Sequence, residues 1–202
     1  MADISAQVVK ALRDKTSAGM MDCKKALQEC DGVEEKAIAW LRQKGLAKAQ
    51  KRAGRATSQG IIGSYVHSTG KIGVMVELQC ETDFVAKNEG FQELAKNLAM
   101  QIAATNPLCL DKENVPAEVL EKERQIYREQ AIDEGKPKNM LDKIVEGKIS
   151  KFYKEICLLD QPYIRDDKRS VRDIINDQIA VIGENIQVGR FVRLVLGEDG
   201  EE

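Results

Sequence analysis

Aromatic residues are scarce in this sequence, at 4%, with one Trp, four Tyr and four Phe. A core here has to be built from Leu, Ile, Val, Ala and Met. There is one histidine, His67, and the five cysteines at 23, 30, 80, 109 and 157 include no CxxC pair. An odd cysteine count without metal-ligand spacing argues against a disulfide framework and against a metal site, and free thiols in a reducing compartment are expected. Neither sign of charge dominates: 31 basic residues face 33 acidic ones, for a net charge of -2. That balance argues against a dedicated nucleic-acid binder, although it leaves room for a local basic patch. No apolar run is long enough to span a bilayer. The opening MADISAQVVK lacks the basic-then-apolar segment of a secretory signal. A soluble protein of the cytoplasm is expected, with the interior of an organelle as the other compartment the sequence allows. GxSxG, Walker, HExxH and GxGxxG motifs are all missing, and His67 has no recognisable triad partner, so neither catalytic residues nor a cofactor are expected.

What is present is a chain of 202 residues with 43% hydrophobic and 32% charged content, enough for one or two small cores. The first 55 residues read as a compact helical unit. Ile4, Val8 and Leu12 recur at helical spacing, and Thr16 to Gly19 interrupts them. Asp22 can cap a second helix with Cys23, Ala26, Leu27 and Cys30 on one face, closed by Asp31-Gly32. A third helix from about Val33 turns Ala37, Trp40 and Leu41 inward, with Gly45 as a plausible stop. KAQKRAGR at 48–55 then reads as a helical extension or linker whose basic residues form either a solvated face or a nucleic-acid patch.

The period then changes from helical to alternating. Ile62, Ser64 and Val66 alternate with Ile61, Gly63 and Tyr65; after Ser68-Thr69-Gly70-Lys71, Ile72, Val74, Val76, Leu78 and Cys80 mark the buried side of a returning strand. This predicts a β-hairpin. Helices are expected with Phe91, Leu94, Leu98 and Ile102 inward, from Pro116 to Gly135, and from Pro137 to Ile156. Another is expected after Ser170, with Val171, Ile174, Ile175 and Ile182. A last strand over 187–196 can pair with the hairpin, and the tail is acidic.

Two segments stand out. QCETDFVAKN, at 79–88, leaves the hairpin and precedes a helix, setting Asp83 beside Phe84 in what should be a turn. Either Thr82 or Asp83 caps a helical turn and Phe84 fills the core, or Phe84 is an exposed ring next to a carboxylate on a rigid strand end, a good anchor for a partner pocket. RDKTSAGMMDCKKAL, at 13–27, brings Met20 and Met21 to a helix start, where they serve either as core packing or as an adaptable contact surface. Periodicity does not separate these alternatives.

At these residues the chain closely resembles the translation elongation factor Ts family. LRDKTSAGMMDCKKAL and ETDFVAKN resemble its N-terminal and central signatures, and VEGKISKFYKEICLLDQPYI and IGENIQVGRF resemble later segments, so the likeness runs essentially end to end. The resemblance implies an α+β protein: a three-helix UBA-like domain with its basic linker over 1–55, an antiparallel-sheet core packed with helices over 56–197, and an acidic tail over 198–202. It implies a guanine nucleotide exchange factor for elongation factor Tu, acting by binding. Arg13, Met20 and Met21 match the contacts of the N-terminal domain. Thr82, Asp83, Phe84 and Val85 match the TDFV residues that press between partner helices near the Mg²⁺ site. His67, Ile182 and Gly183 match secondary contacts. Long family members carry two copies of the core subdomain, whereas TDFV occurs once here, so the resemblance implies the short form and a homodimer. The competing class is an adaptor whose UBA-like helices bind a ubiquitin-like partner without exchange activity.

Overall fold

A computed structural model describes residues 4–198, so of the acidic tail only Glu198 lies among the described residues. The fold is α+β. Its chain order is α1 (Ala6–Thr16), α2 (Met20–Glu29), α3 (Glu34–Arg52), β1 (Gln59–Val66), β2 (Ile72–Cys80), α4 (Asp83–Ala86), α5 (Glu89–Thr105), α6 (Ala117–Asp133), α7 (Leu141–Ile156), β3 (Pro162–Tyr163), β4 (Asp166–Ser170), α8 (Val171–Ile182) and β5 (Ile186–Val195). β1, β2 and β5 form one sheet in that order, and β3 and β4 form a second, antiparallel pair. The chain divides into two compact units. One takes in the described residues up to Ile62, Glu77–Ala95 and Asp173–Gly189; the other takes in Gly63–Val76, Lys96–Arg172 and the segment from Arg190 onward.

In the first unit, α1 to α3 share a core of Val9, Leu12, Cys23, Ala26, Leu27, Ala37 and Leu41, with Ile4 and Trp40 packed against it. Val9 takes the inward place expected of Val8, which is exposed. Ser5 is the N-cap, so Ile4 precedes the helix and does not set its phase. Asp22 is not the cap of α2. Gly19 holds that position and α2 starts at Met20. The Asp22 carboxylate instead accepts from Lys44 Nζ (2.7 Å) and Lys48 Nζ (2.6 Å) of α3, and these two hydrogen bonds hold its pKa below the ordinary range. The close of α2 at Asp31-Gly32 is as expected: Asp31 adopts the left-handed conformation, and Gly32 N–H donates to Leu27 O (2.8 Å). Gly45 does not stop α3. A side chain there would bring a Cβ within 3.3 Å of Ala180 Cβ on α8, so the glycine permits close packing of two helices, at a helix-propensity cost of about 1 kcal/mol. Arg42 bonds Asp173 (2.9 Å) and Arg52 donates to Ile179 O (3.2 Å), which fastens α3 along α8.

The alternating pattern of the second hairpin strand is realised: Val74, Val76, Leu78 and Cys80 are buried, as are Phe91, Leu94, Leu98 and Ile102 of α5. In the second unit the hairpin closes through His67 N–H to Ile72 O (2.9 Å). α6 and α7 run back along one another, tied by Arg124–Glu146 and Arg128–Asp142, with Lys148 over the Tyr127 ring. Ala131 is the buried residue of α6, and Leu120, Ile126 and Tyr127 are half-buried because a helix in a two-helix hairpin is covered on one side. β3 and β4 have no counterpart in the sequence reading, which has a break at Gln161-Pro162. β3 has two residues, too few to show alternation, and β4 reads DDKRS, with no apolar residue to alternate. That small hairpin is fixed by the buried Gln101, whose amide donates to Pro162 O (3.1 Å) and accepts from Ile164 N–H (2.8 Å). All five cysteines are free; Cys109 and Cys157 lie with their sulfurs 3.5 Å apart, and burial pushes the Cys157 thiol up to about 12.

Candidate partner-binding surface

β2 ends at Cys80, and the chain turns at once into the single helical turn α4. Thr82 is its N-cap, with an extended backbone (φ -126°, ψ 157°) and a hydroxyl that accepts from Val85 N–H (3.4 Å). The Cys80 thiol donates to Thr82 O (3.1 Å) from the strand side. On the other side Asn88 Oδ1 accepts from Gly90 N–H (2.9 Å) and Phe91 N–H (3.3 Å), so α5 starts immediately after the turn. Ala86 and Phe91 are buried and pin the segment, whereas Phe84 is 80% exposed. Of the two fates open to this ring in the sequence, the outward one is realised. Its neighbour Asp83 accepts from Lys87 Nζ (2.8 Å), and that hydrogen bond is the main cause of a pKa below the ordinary carboxylate range.

A second segment of the same unit supports the turn. α8 ends at Ile182, half-buried, and Gly183 follows in the left-handed region (φ +92°), which redirects the chain. Glu184 then faces the turn: one carboxylate oxygen accepts from Thr82 N–H (3.0 Å) and the other from Thr82 Oγ1–H (2.7 Å). Glu81 Oε1 accepts from Asn185 N–H (2.6 Å) and meets Arg55 Nη1 at 3.4 Å. The buried Asn185 amide donates to Arg55 O (2.8 Å) and Ala53 O (3.4 Å). The TDFV turn and the Ile182-Gly183 segment are thus brought together by hydrogen bonds. Glu81, Arg55, Glu184 and Asn185 do this, and none was singled out from the sequence. The signal for two of them lay in the IGEN segment, immediately after the pair that was.

Arg13 lies exposed in the last turn of α1, and Met20 and Met21, 45% and 74% exposed, stand in the first turn of α2. The methionines therefore do not serve the three-helix core. Thr82, Asp83, Phe84, Val85, Ile182 and Gly183 share their compact unit. His67 does not: it sits exposed in the β1–β2 turn of the other unit, with Nδ1 3.1 Å from Tyr65 Oη. Among the described residues, no cluster of His, Cys, Asp and Glu is placed to hold a metal ion, and no helix is long and apolar enough to cross a membrane.

A family model described as elongation factor TS matches residues 3–198. The chain is 69% identical over 197 residues to an elongation factor Ts of Oleidesulfovibrio alaskensis, covering 98% of this chain and 100% of that one. It is 66% identical over 199 residues to one of Solidesulfovibrio magneticus, with the same coverage. It is 57% identical over 202 residues to one of Desulforamulus reducens, covering 100% of this chain and 93% of the relative.

Proposed function

We propose, from the premise that this chain belongs to the elongation factor Ts family, that it is a guanine nucleotide exchange factor for elongation factor Tu. Membership makes it a translation elongation factor; the identity of its partner and the way it acts are our reading. It binds the GDP complex of that GTPase and speeds GDP release by contact alone, without covalent chemistry, in the bacterial cytoplasm. Residues 1–55 form a UBA-like module that docks through Arg13, Met20 and Met21, and residues 56–197 form the core that carries the Asp83-Phe84 turn. Ile182, Gly183 and His67 add secondary contacts.

The observation that carries this reading is the exposed Phe84 ring on a capped, doubly braced turn. A GTPase holds its nucleotide through phosphate contacts from a glycine-rich loop and through Mg²⁺. A ring that enters a cleft near that Mg²⁺ site only when the site is distorted exchanges its own burial for the partner's grip on GDP. Linkage makes the effect reciprocal: the factor weakens GDP binding by the ratio in which GDP weakens binding of the factor. Burying a Phe side chain is worth about 1.5–3 kcal/mol, on the order of 10- to 100-fold. Any coupling beyond that falls to Asp83 and the N-terminal contacts.

We also place two copies of the chain in the active species. Arg193 donates to Ala103 O of α5, so its neighbours Val192 and Leu194 point to the opposite face of β5, where both are exposed, as are Val66 and Met75 on β1 and β2. The two relatives matched over their whole length span nearly the same number of residues as this chain. Sedimentation should give a dimer that Leu194→Asp converts to monomer; a monomeric parent protein would remove this part of the reading. The central test is release of a fluorescent GDP from purified elongation factor Tu in a stopped-flow instrument. The chain should accelerate release at catalytic concentration. No acceleration, with capture of a ubiquitin-like protein instead, would replace the exchange factor with the adaptor.

A further inference from the structure

Glu184, we infer, is a positioning residue for the Asp83-Phe84 turn, supplying from the α8–β5 connection a brace that the turn's own sequence lacks. The inference rests on the exchange-factor reading above and concerns how the ring is held ready.

A helical turn as short as α4 is unstable alone, because it fixes several backbone dihedrals for one or two hydrogen bonds. Sequences that need a sharp helix start often use a reciprocal pair, in which the N-cap hydroxyl accepts from the third helical residue and a Glu or Gln there accepts the N-cap's own N–H. α4 has the first half of that arrangement, Thr82 Oγ1 to Val85 N–H. It lacks the second, because its third residue is Val85. Glu184, 102 residues further along the chain, provides the missing acceptor: Oε2 takes Thr82 N–H at 3.0 Å, and Oε1 takes the hydroxyl proton at 2.7 Å. The second bond also settles the hydroxyl. With its proton given to Glu184, a lone pair is left to face Val85 N–H. Both bonds are charge-assisted, the stronger class, and Thr82 is half-buried while Phe84, two residues on, is exposed. The brace grips the base of the turn and leaves the ring free for a partner. Glu184 itself is held from behind, since the next residue, Asn185, is anchored by its buried amide to the carbonyls of Arg55 and Ala53.

A residue that acts through Phe84 has a signature that one acting on the fold at large does not. In stimulated GDP release, Glu184→Ala removes both bonds to Thr82 and should slow the saturating rate by at least roughly tenfold, the order expected for losing a single charge-assisted hydrogen bond. In a Phe84→Ala background the same change should have little further effect, because the ring being positioned is gone. Glu184→Gln keeps a carbonyl for Thr82 N–H and an amide that can donate to the hydroxyl, so it should recover most of the rate. Thr82→Val keeps the backbone bond to Glu184 but loses the hydroxyl, and it should slow the rate in the same direction. Equal losses from Glu184→Ala with and without Phe84 would show a general structural role and overturn the inference. So would a full rate for a folded Glu184→Ala in a system where Phe84→Ala is slow; that outcome leaves the exchange reading standing. An unimpaired Phe84→Ala removes both. If Glu184→Ala fails to fold, Thr82→Val carries the same cycle, and a folded Thr82→Val with a full rate overturns the inference.

Discussion

Met20 and Met21 begin α2, Asp83 and Phe84 begin α4, and both pairs hold apolar side chains out in solvent at the first turn of a helix. The two starts are built differently. α2 begins after Gly19, with no side-chain capping bond, and offers two long, unbranched side chains. α4 begins after Thr82, whose hydroxyl caps the turn and whose N–H and hydroxyl proton are both taken by Glu184, and it offers one ring with two rotatable bonds. A pair of long, flexible methionine side chains on an uncapped start can adjust to the surface it meets, at an entropic cost each time. A ring on a braced start has the backbone part of that cost met in advance and only two side-chain torsions left to order, so more of its burial energy is available to distort what it touches. On our reading the α2 surface provides attachment and the α4 turn provides the wedge.

The largest test of that contrast is Phe84→Ala. It should lower the saturating rate of stimulated GDP release by about 10- to 100-fold, the value of a buried Phe side chain. Thermal stability should hardly change, because the ring is exposed in the free protein. A rate equal to the parent's would end the division of labour. Next in size are Met20→Ala and Met21→Ala. As attachment residues they should raise the concentration of factor needed for half-maximal release by less than about fivefold each, as for most interface positions, and leave the saturating rate alone. A fall in that rate would mean that the α2 surface also acts on the nucleotide site. Smaller again is Gly19→Ser, which gives α2 the cap it lacks. Gly19 has a negative φ (-60°) and an open space where its Cβ would be, so the gain should be a few tenths of a kcal/mol in chemical denaturation. If Gly19→Ser also weakens attachment, the uncapped start of this helix is part of how it binds.

What could be read from the sequence follows the range of the interaction involved. β2 and α5 are legible because burial repeats along them with periods of 2 and 3.6, and Val74, Val76, Leu78, Phe91 and Leu98 lie inside as the pattern requires. Phe84 is not legible by that route, since an aromatic after a strand fits a core as well as a surface. The resemblance to a family pointed to the outward reading, and the geometry of α4 shows the ring outside. Gly45 was misread as a helix stop because its reason, Ala180 on α8, lies far along the chain. The same distance hides Glu184. Within its own segment it is one more acidic residue after a helix; only folding shows that its two oxygens meet the two donors of Thr82.

The smallest expected effect concerns the charge beside the ring. The hydrogen bond from Lys87 holds the Asp83 carboxyl below the ordinary carboxylate range. A depressed folded-state pKa means that whatever this pair adds to stability is present above the ordinary carboxylate value and is lost as pH falls through the lower, folded value. At neutral pH Asp83 is therefore ionised with or without Lys87. Both partners are largely in water, where an i, i+4 pair contributes little to the fold. Lys87→Met should accordingly leave stability and neutral-pH GDP release close to the parent's, while an NMR titration shows the Asp83 carboxyl moving up toward its ordinary value. A large loss of release at neutral pH would mean that Lys87 either aims the carboxylate or meets the partner itself, and that the α4 display is a ring with two charges beside it, not a ring with one.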